Sequence, residues 1–210
     1  MNRTVRNALL AVMTLPAAAP AFADGEAILE APTATVVSGY IDASYTHLSG
    51  AGVFSSGTAD RVFDTKTDAF SLQQAAVTFA YQPKEGFGAV LNLTAGNDAN
   101  LIASYGAITG GKSKFDVTQA FAQYANGALT VMAGKFVTLS GAEVISSPAN
   151  SNFSRSILFG YAIPFTHTGL RTTYAASDTL TLTLGLNNGW DALKVANSGK
   201  TVEFGATYTP

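Results

Sequence analysis

Leu180-Thr181-Leu182-Thr183-Leu184-Gly185-Leu186-Asn187 decides the fold. Leucine holds every even position, and threonine, glycine and asparagine hold the odd ones. Successive side chains of an extended strand point to opposite faces, so this stretch carries a leucine stripe on one side and small polar groups on the other. The stretch after it repeats the pattern, with Val202, Phe204, Ala206 and Tyr208 against Thr201, Glu203, Gly205 and Thr207. Before it, Leu170, Thr172, Tyr174 and Ala176 oppose His167, Gly169, Arg171 and Thr173. Further upstream, Val37, Gly39, Ile41, Ala43 and Tyr45 oppose Ser38, Asp42, Ser44 and Thr46, and Phe87, Ala89, Leu91, Leu93 and Ala95 oppose Gly88, Asn92, Thr94 and Gly96. Three other segments are less regular. Parity slips around Gln73-Gln74, as at a β-bulge. Val117 and Phe121 share a face with Gln119 and Gln123, and Lys135 falls in step with Leu129, Val131 and Ala133. For these three the inward parity stays open.

The connections between these eight segments alternate in length. Gln82-Pro83-Lys84-Glu85-Gly86, Asn126-Gly127 and Ser177-Asp178 are tight, whereas 49–69, 99–114, 139–164 and 191–199 are long. A soluble sandwich has no reason to place every long loop at one edge. A barrel of the bacterial outer membrane does, because its periplasmic turns are short and its outer loops are long. Alternation alone does not say which face is buried: in a soluble barrel the apolar face points in, and in a membrane barrel it points out. Aromatics gather at segment ends, at Tyr45, Phe70, Tyr81, Phe87, Phe136, Tyr174, Trp190 and Tyr208, as interfacial girdles do. The polar face is mostly Thr, Ser, Asn and Gly, which suits an enclosed aqueous lumen better than bulk water.

The N-terminus adds a compartment. Arg3 and Arg6 form a positive n-region, Ala8 to Leu15 a short apolar h-region, and Ala21-Phe22-Ala23 a small-x-small cleavage site. Residues 1–23 therefore read as a signal peptide, 24–36 as a lead-in and 37–210 as the barrel. The apolar run falls short of the ~20 residues that a membrane helix needs. Composition agrees. Charged residues make up 12% of the chain, a share that would leave a soluble surface sticky. Cysteine is absent, which excludes disulfides and thiolate metal sites. A net charge of −2 without any basic run gives no footing for nucleic acid.

Seven blocks stand out: Arg61-Val62-Phe63-Asp64, Phe70-Ser71-Leu72-Gln73-Gln74-Ala75-Ala76, Gln82-Pro83-Lys84-Glu85-Gly86-Phe87-Gly88, Phe115-Asp116-Val117-Thr118-Gln119-Ala120-Phe121, Ala133-Gly134-Lys135-Phe136, Asn152-Phe153-Ser154-Arg155-Ser156 and Asn187-Asn188-Gly189-Trp190-Asp191. Together they resemble the OmpL-like beta-barrel porin family of bacterial outer-membrane porins. The resemblance runs from Gly39 to Gly205 and implies a porin-like pore with no catalytic motif. The chain is shorter than such porins, and Pro210 stands where the terminal strand commonly ends on an aromatic residue. The sequence thus reads as an N-terminal portion of a larger barrel. The lumen agrees: an eight-stranded barrel is just wide enough for side chains to fill, and Thr, Gly and Asn would underfill it.

Enzymatic signatures are weak. His47 and His167 are the two histidines, and neither belongs to a nucleophile-elbow pattern that would support an outer-membrane hydrolase. Their separation gives no metal-ligand spacing. Asn97-Asp98-Ala99-Asn100 lacks the glycine and closing glutamate of a calcium loop and reads as a plain loop. Gly106 to Ser113 fits the bare GxxxxGK[ST] pattern, but a strand follows it where a phosphate loop needs a helix.

The candidate pore-lining or constriction residues are the charges on or near the polar faces. Arg171 shares a face with His167, and Glu203 lies two segments away. Asp42, Lys135 and Arg155 also reach toward the aqueous path. Opposed charges at a constriction select ions; the alternative is that these charges satisfy one another in the wall. Leu139–Pro164 is the longest connection and carries Val144, Ile145, Phe153, Ile157, Leu158, Phe159 and Tyr161. It is expected to fold against the inner wall, bringing Glu143 and Arg155 near the path; packing on the outer rim or a neighbouring subunit is the alternative.

The reading is an all-β antiparallel meander, a transmembrane β-barrel with eight strands in this chain. It is a non-enzymatic outer-membrane porin for passive diffusion, with no cofactor and no metal. Its partners are outer-membrane lipid and small hydrophilic solutes or ions, not nucleic acid. A homo-oligomer fits, but no interface is legible. The alternative is a closed small barrel with a structural or adhesive role through its outer loops.

Overall fold

The computed structural model describes residues 5–9, 34–48, 61–66, 68–107, 113–195 and 199–210. The cleavage site, most of the lead-in and the core of the GxxxxGK pattern lie outside them. Among the described residues nine strands form one antiparallel sheet in chain order: β1 (Val5–Leu9), β2 (Val36–Leu48), β3 (Ala69–Tyr81), β4 (Gly86–Ala95), β5 (Phe115–Asn126), β6 (Leu129–Val137), β7 (Thr166–Ala175), β8 (Leu180–Asn187) and β9 (Thr201–Tyr208). β2 to β9 are the eight expected segments. β1 lies within the expected leader and pairs with the long-loop half of β2, Val5 opposite Leu48. Among the described residues the far edge of β9 is unpaired and the sheet is not closed.

Among the described residues helix is confined to the long connections, in α1 (Asn97–Ile102), a 3-10 turn (Ser147–Ala149) and α2 (Ile157–Tyr161). The Asn97-Asp98-Ala99-Asn100 stretch, expected as plain loop, opens α1. No helix among the described residues is long and apolar enough to cross a membrane; any crossing would be by strands, and those of β2 to β9 run from 8 to 13 residues.

Burial is inverted relative to a soluble protein. Asp42, Ser44, Thr46, Thr94, Asp116, Thr118, Gln123, Arg171, Thr183 and Asn187 are buried, while Ile41, Phe70, Leu72, Phe79, Leu91, Leu170, Leu184, Leu186 and Phe204 are exposed. The polar face points in and the apolar face out, as the leucine stripe of β8 requires in a membrane wall. Outward aromatics cluster at both strand ends. Tyr45 packs on Phe70 (4.9 Å between ring centroids) at the long-loop end, and Phe87 on Tyr124 (5.0 Å) at the short-turn end.

Two bulges resolve the irregular segments. Asp42 pairs with Gln74 and Ala43 with Leu72, so Gln73 is the extra residue and both glutamines turn to the buried face. On β5, Asn92 pairs with Gln119 and Leu93 with Val117, which leaves Thr118 over. Asp116 and Thr118 therefore point inward before the bulge, and Phe121, Gln123 and Ala125 after it. Phe136 does not belong to an outer girdle. It is 1% exposed on the inner face, edge-to-face with Phe121 and packed in an apolar patch with Met132, Val90 and Ala80.

Candidate functional site

The inner face carries its charges in three groups. The first spans β7 to β9. Arg171 donates from Nε (2.6 Å) and Nη2 (3.1 Å) to the two carboxylate oxygens of Glu203. Its guanidinium lies over the Phe136 ring at 4.1 Å, a contact that favours a planar cation on an aromatic face. Gly185 of the intervening strand makes room, since a Cβ there would stand 2.3 Å from Glu203 Oε1. His167 Nε2 lies 3.9 Å from the same carboxylate, and its Nδ1 is 3.1 Å from the Gly189 carbonyl. Arg171, Glu203 and His167 thus come together as one cluster. Beside it the loop carboxylate of Asp191 accepts from the backbone N–H groups of Phe165 and Thr166, both at 2.8 Å; burial still pushes its pKa up.

The second group is Lys135. Pairing between β5 and β6 reaches only Ala120 opposite Lys135, and beyond it the side chain crosses the end of β5. Its ammonium donates to Asp116 (3.0 Å) and to the Val117 carbonyl (2.7 Å), with only 5% exposure. This explains a lysine in step with outward Leu129 and Ala133. Gly134 permits the turn: it sits at φ 139°, and a Cβ would meet the Ala120 carbonyl at 2.3 Å.

The third group is a cap built by the long loops. Phe63 from the β2–β3 loop, Ile102 from α1, and Ile145, Phe159 and Phe165 from the β6–β7 connection form one buried core. The β8–β9 loop joins through Tyr105 N–H to the Asp191 carbonyl at 2.7 Å. Arg155 is at its centre. Its guanidinium donates to Asp98 Oδ2 (3.0 Å), to Ser147 Oγ (3.3 Å) and to the carbonyls of Val144 (3.3 Å), Phe153 (2.8 Å) and Ile145, and it lies 4.4 Å over the Phe63 ring. Glu143 accepts from Ser156 N–H (2.9 Å) and its hydroxyl, while Ser156 caps α2 by accepting from Phe159 N–H at 3.1 Å. Arg155 and Glu143 therefore shape the loop itself. Ile157, Leu158 and Tyr161 lie on its exposed side.

The cap reaches the sheet at Gln74, whose amide donates to Asp98 Oδ2 and to the Ile145 carbonyl, both at 2.9 Å, and accepts from Tyr40 (2.5 Å) and Ser147 N–H (3.3 Å). Gln74 faces Asp42, the central residue of β2, so the β6–β7 connection descends the inner side to mid-strand. Burial raises the Asp98 carboxyl to about 6 in spite of Arg155 and Gln74. It also raises Asp64, which lies in the cap near Ser154 and Arg61. Asp42 is 1% exposed, and among the described residues neither of its carboxylate oxygens has a hydrogen-bond partner, as is also true of Asp64.

Sequence reasoning missed Gln74, Asp98, Asp116 and Phe63. Gln73-Gln74 carried a signal in its slipped parity; Asp98 sits in the stretch set aside as a loop. Phe63 and Asp116 belong to blocks noted only for resemblance.

A meander that exposes leucine and aromatic stripes, buries its polar face and folds long loops from one rim across that face is a wall of the porin-type transmembrane β-barrel. The chain belongs to the OmpL-like porin family: the family model described as "Putative beta-barrel porin-2, OmpL-like" matches residues 35–210. Comparison with curated proteins and with solved structures returned no match.

Proposed function

We propose that this protein is a porin of the bacterial outer membrane, exported by its leader, through which small hydrophilic solutes and ions diffuse passively along a water-filled path. The observation that carries this reading is the inverted burial of β2 to β9, with polar side chains inward and an apolar outward face suited to lipid. Selectivity would come from the pore radius and from the inner charges Lys135, His167, Arg171 and Glu203. The β6–β7 connection, which reaches mid-strand at Gln74, would narrow the path. No chemistry on the solute is needed, and no cofactor or nucleic acid takes part. Single-channel recording in planar bilayers tests the reading: steady ion current supports it. Inserted, folded protein without current would instead favour a closed barrel with a structural or adhesive role.

A further inference from the structure

Where the cap meets the sheet, the hydrogen-bond arithmetic does not close. Gln74 spends both amide hydrogens on Asp98 and Ile145 and accepts two bonds at its oxygen. Arg155 spends all five of its N–H donors on Asp98, Ser147 and three backbone carbonyls. The two side chains best placed to donate are therefore saturated. Among the described residues, three carboxylate oxygens at this junction remain without any donor, both of Asp42 and Oδ1 of Asp98, and both residues are 1% exposed.

Charge does not close either. Asp42 and Asp98 bring two negative charges and Arg155 one positive, which leaves one buried negative charge unbalanced. The carboxylates are close enough for the Asp42 charge to act on Asp98, and Gln74 lies between them, paired with Asp42 in register and bonded to Asp98. Burying an unpaired carboxylate is costly, and such groups are paired or coordinate metals. Ser44, on the same face two residues along and itself buried, has a hydroxyl oxygen that accepts from Gln73 Nε2 at 2.9 Å and keeps one lone pair for a ligand. The donors on offer are all oxygen, the set that suits a hard cation and not a soft one.

We propose that Asp42 and Asp98 hold a hard cation of the calcium type between the wall and the cap, fastening the β6–β7 connection to β2 and β3. This goes beyond solute passage and stands or falls separately from it, because the readout is binding. Terbium luminescence, with calcium as competitor, tests it on the purified full chain in detergent. Tyr40, whose hydroxyl is bonded to Gln74, lies near enough to sensitise the ion. The expected result is saturable luminescence that calcium reverses and that Tyr40→Phe dims, with at least tenfold weaker binding in Asp42→Asn. A second measurement serves if Asp42→Asn fails to fold: calcium raises the unfolding midpoint of the wild-type chain, and Asp98→Asn reduces that rise. No saturable binding to the wild type, or binding unchanged by folded Asp42→Asn, overturns the proposal.

Discussion

Arg171 on β7 and Glu203 on β9 clasp each other across β8, at 2.6 and 3.1 Å, directly over Gly185. Both are largely withdrawn from solvent. Removing one partner leaves the other's charge stranded, so Glu203→Gln should destabilise the wall by about 3 kcal/mol. Gly185→Ala should act more gently: its Cβ would push the flexible carboxylate aside and free Arg171 toward the lumen. Denaturant unfolding of the refolded variants checks both, and a Gly185→Ala loss larger than that of Glu203→Gln would contradict the account.

Leu184 is exposed on the outward stripe and Thr181 is on the inward face of the same strand. Leu184→Arg should cost about 2–4 kcal/mol near mid-membrane, whereas an arginine on the lumen side should be tolerated and alter permeation. Equal losses for Leu184→Arg and Thr181→Arg in lipid-reconstituted unfolding would mean the faces are assigned the wrong way round.

Arg155 is the buried keystone of the cap. Arg155→Leu leaves Asp98 buried without its cation and should cost about 3–5 kcal/mol. Deleting residues 142–156 removes the descending loop and should raise single-channel conductance while the barrel stays folded. Unchanged conductance in a properly inserted deletion variant would rule out a constriction by this loop.

Asp98 makes the stability of the cap depend on pH. Its carboxyl is raised from 3.8 to about 6, chiefly by burial. Between these values the folded chain keeps a proton that the unfolded chain has released. Its contribution to stability is therefore greatest at low pH, falls as pH rises through that window, and is flat above about 6. The titration of the Asp98 side-chain carbon by NMR checks this, and Asp98→Asn should remove that part of the pH dependence. A bound cation should shift the titration to lower pH.

The strands were legible because alternation is a local property. The stripe of β8 needs no knowledge of its neighbours, and the tight turns set the antiparallel order. Gln73-Gln74 announced its bulge through broken parity. Thr118 did not, because Val117, Gln119, Phe121 and Gln123 mix character on both sides of it. Phe136 was misplaced for a related reason: an aromatic at a strand end suits either an outer girdle or an inner patch, and Phe121, turned inward beyond the bulge and edge-to-face with it, settles which. The cap was illegible in detail. That the β6–β7 segment is too apolar for water was plain, but its partner Gln74 lies 71 positions from Ile145, and no local pattern encodes such a meeting.

That separation also orders assembly. Hairpins with two- to four-residue turns can form one after another as the chain enters the membrane, each depending on the one before. The cap cannot seat until both β3 and β7 are in place, because it is tethered to one and bonded to the other. A nascent barrel would therefore stand open first and acquire its inner strap last. The expected readout is protease protection of residues 142–156 that appears later than that of the strands.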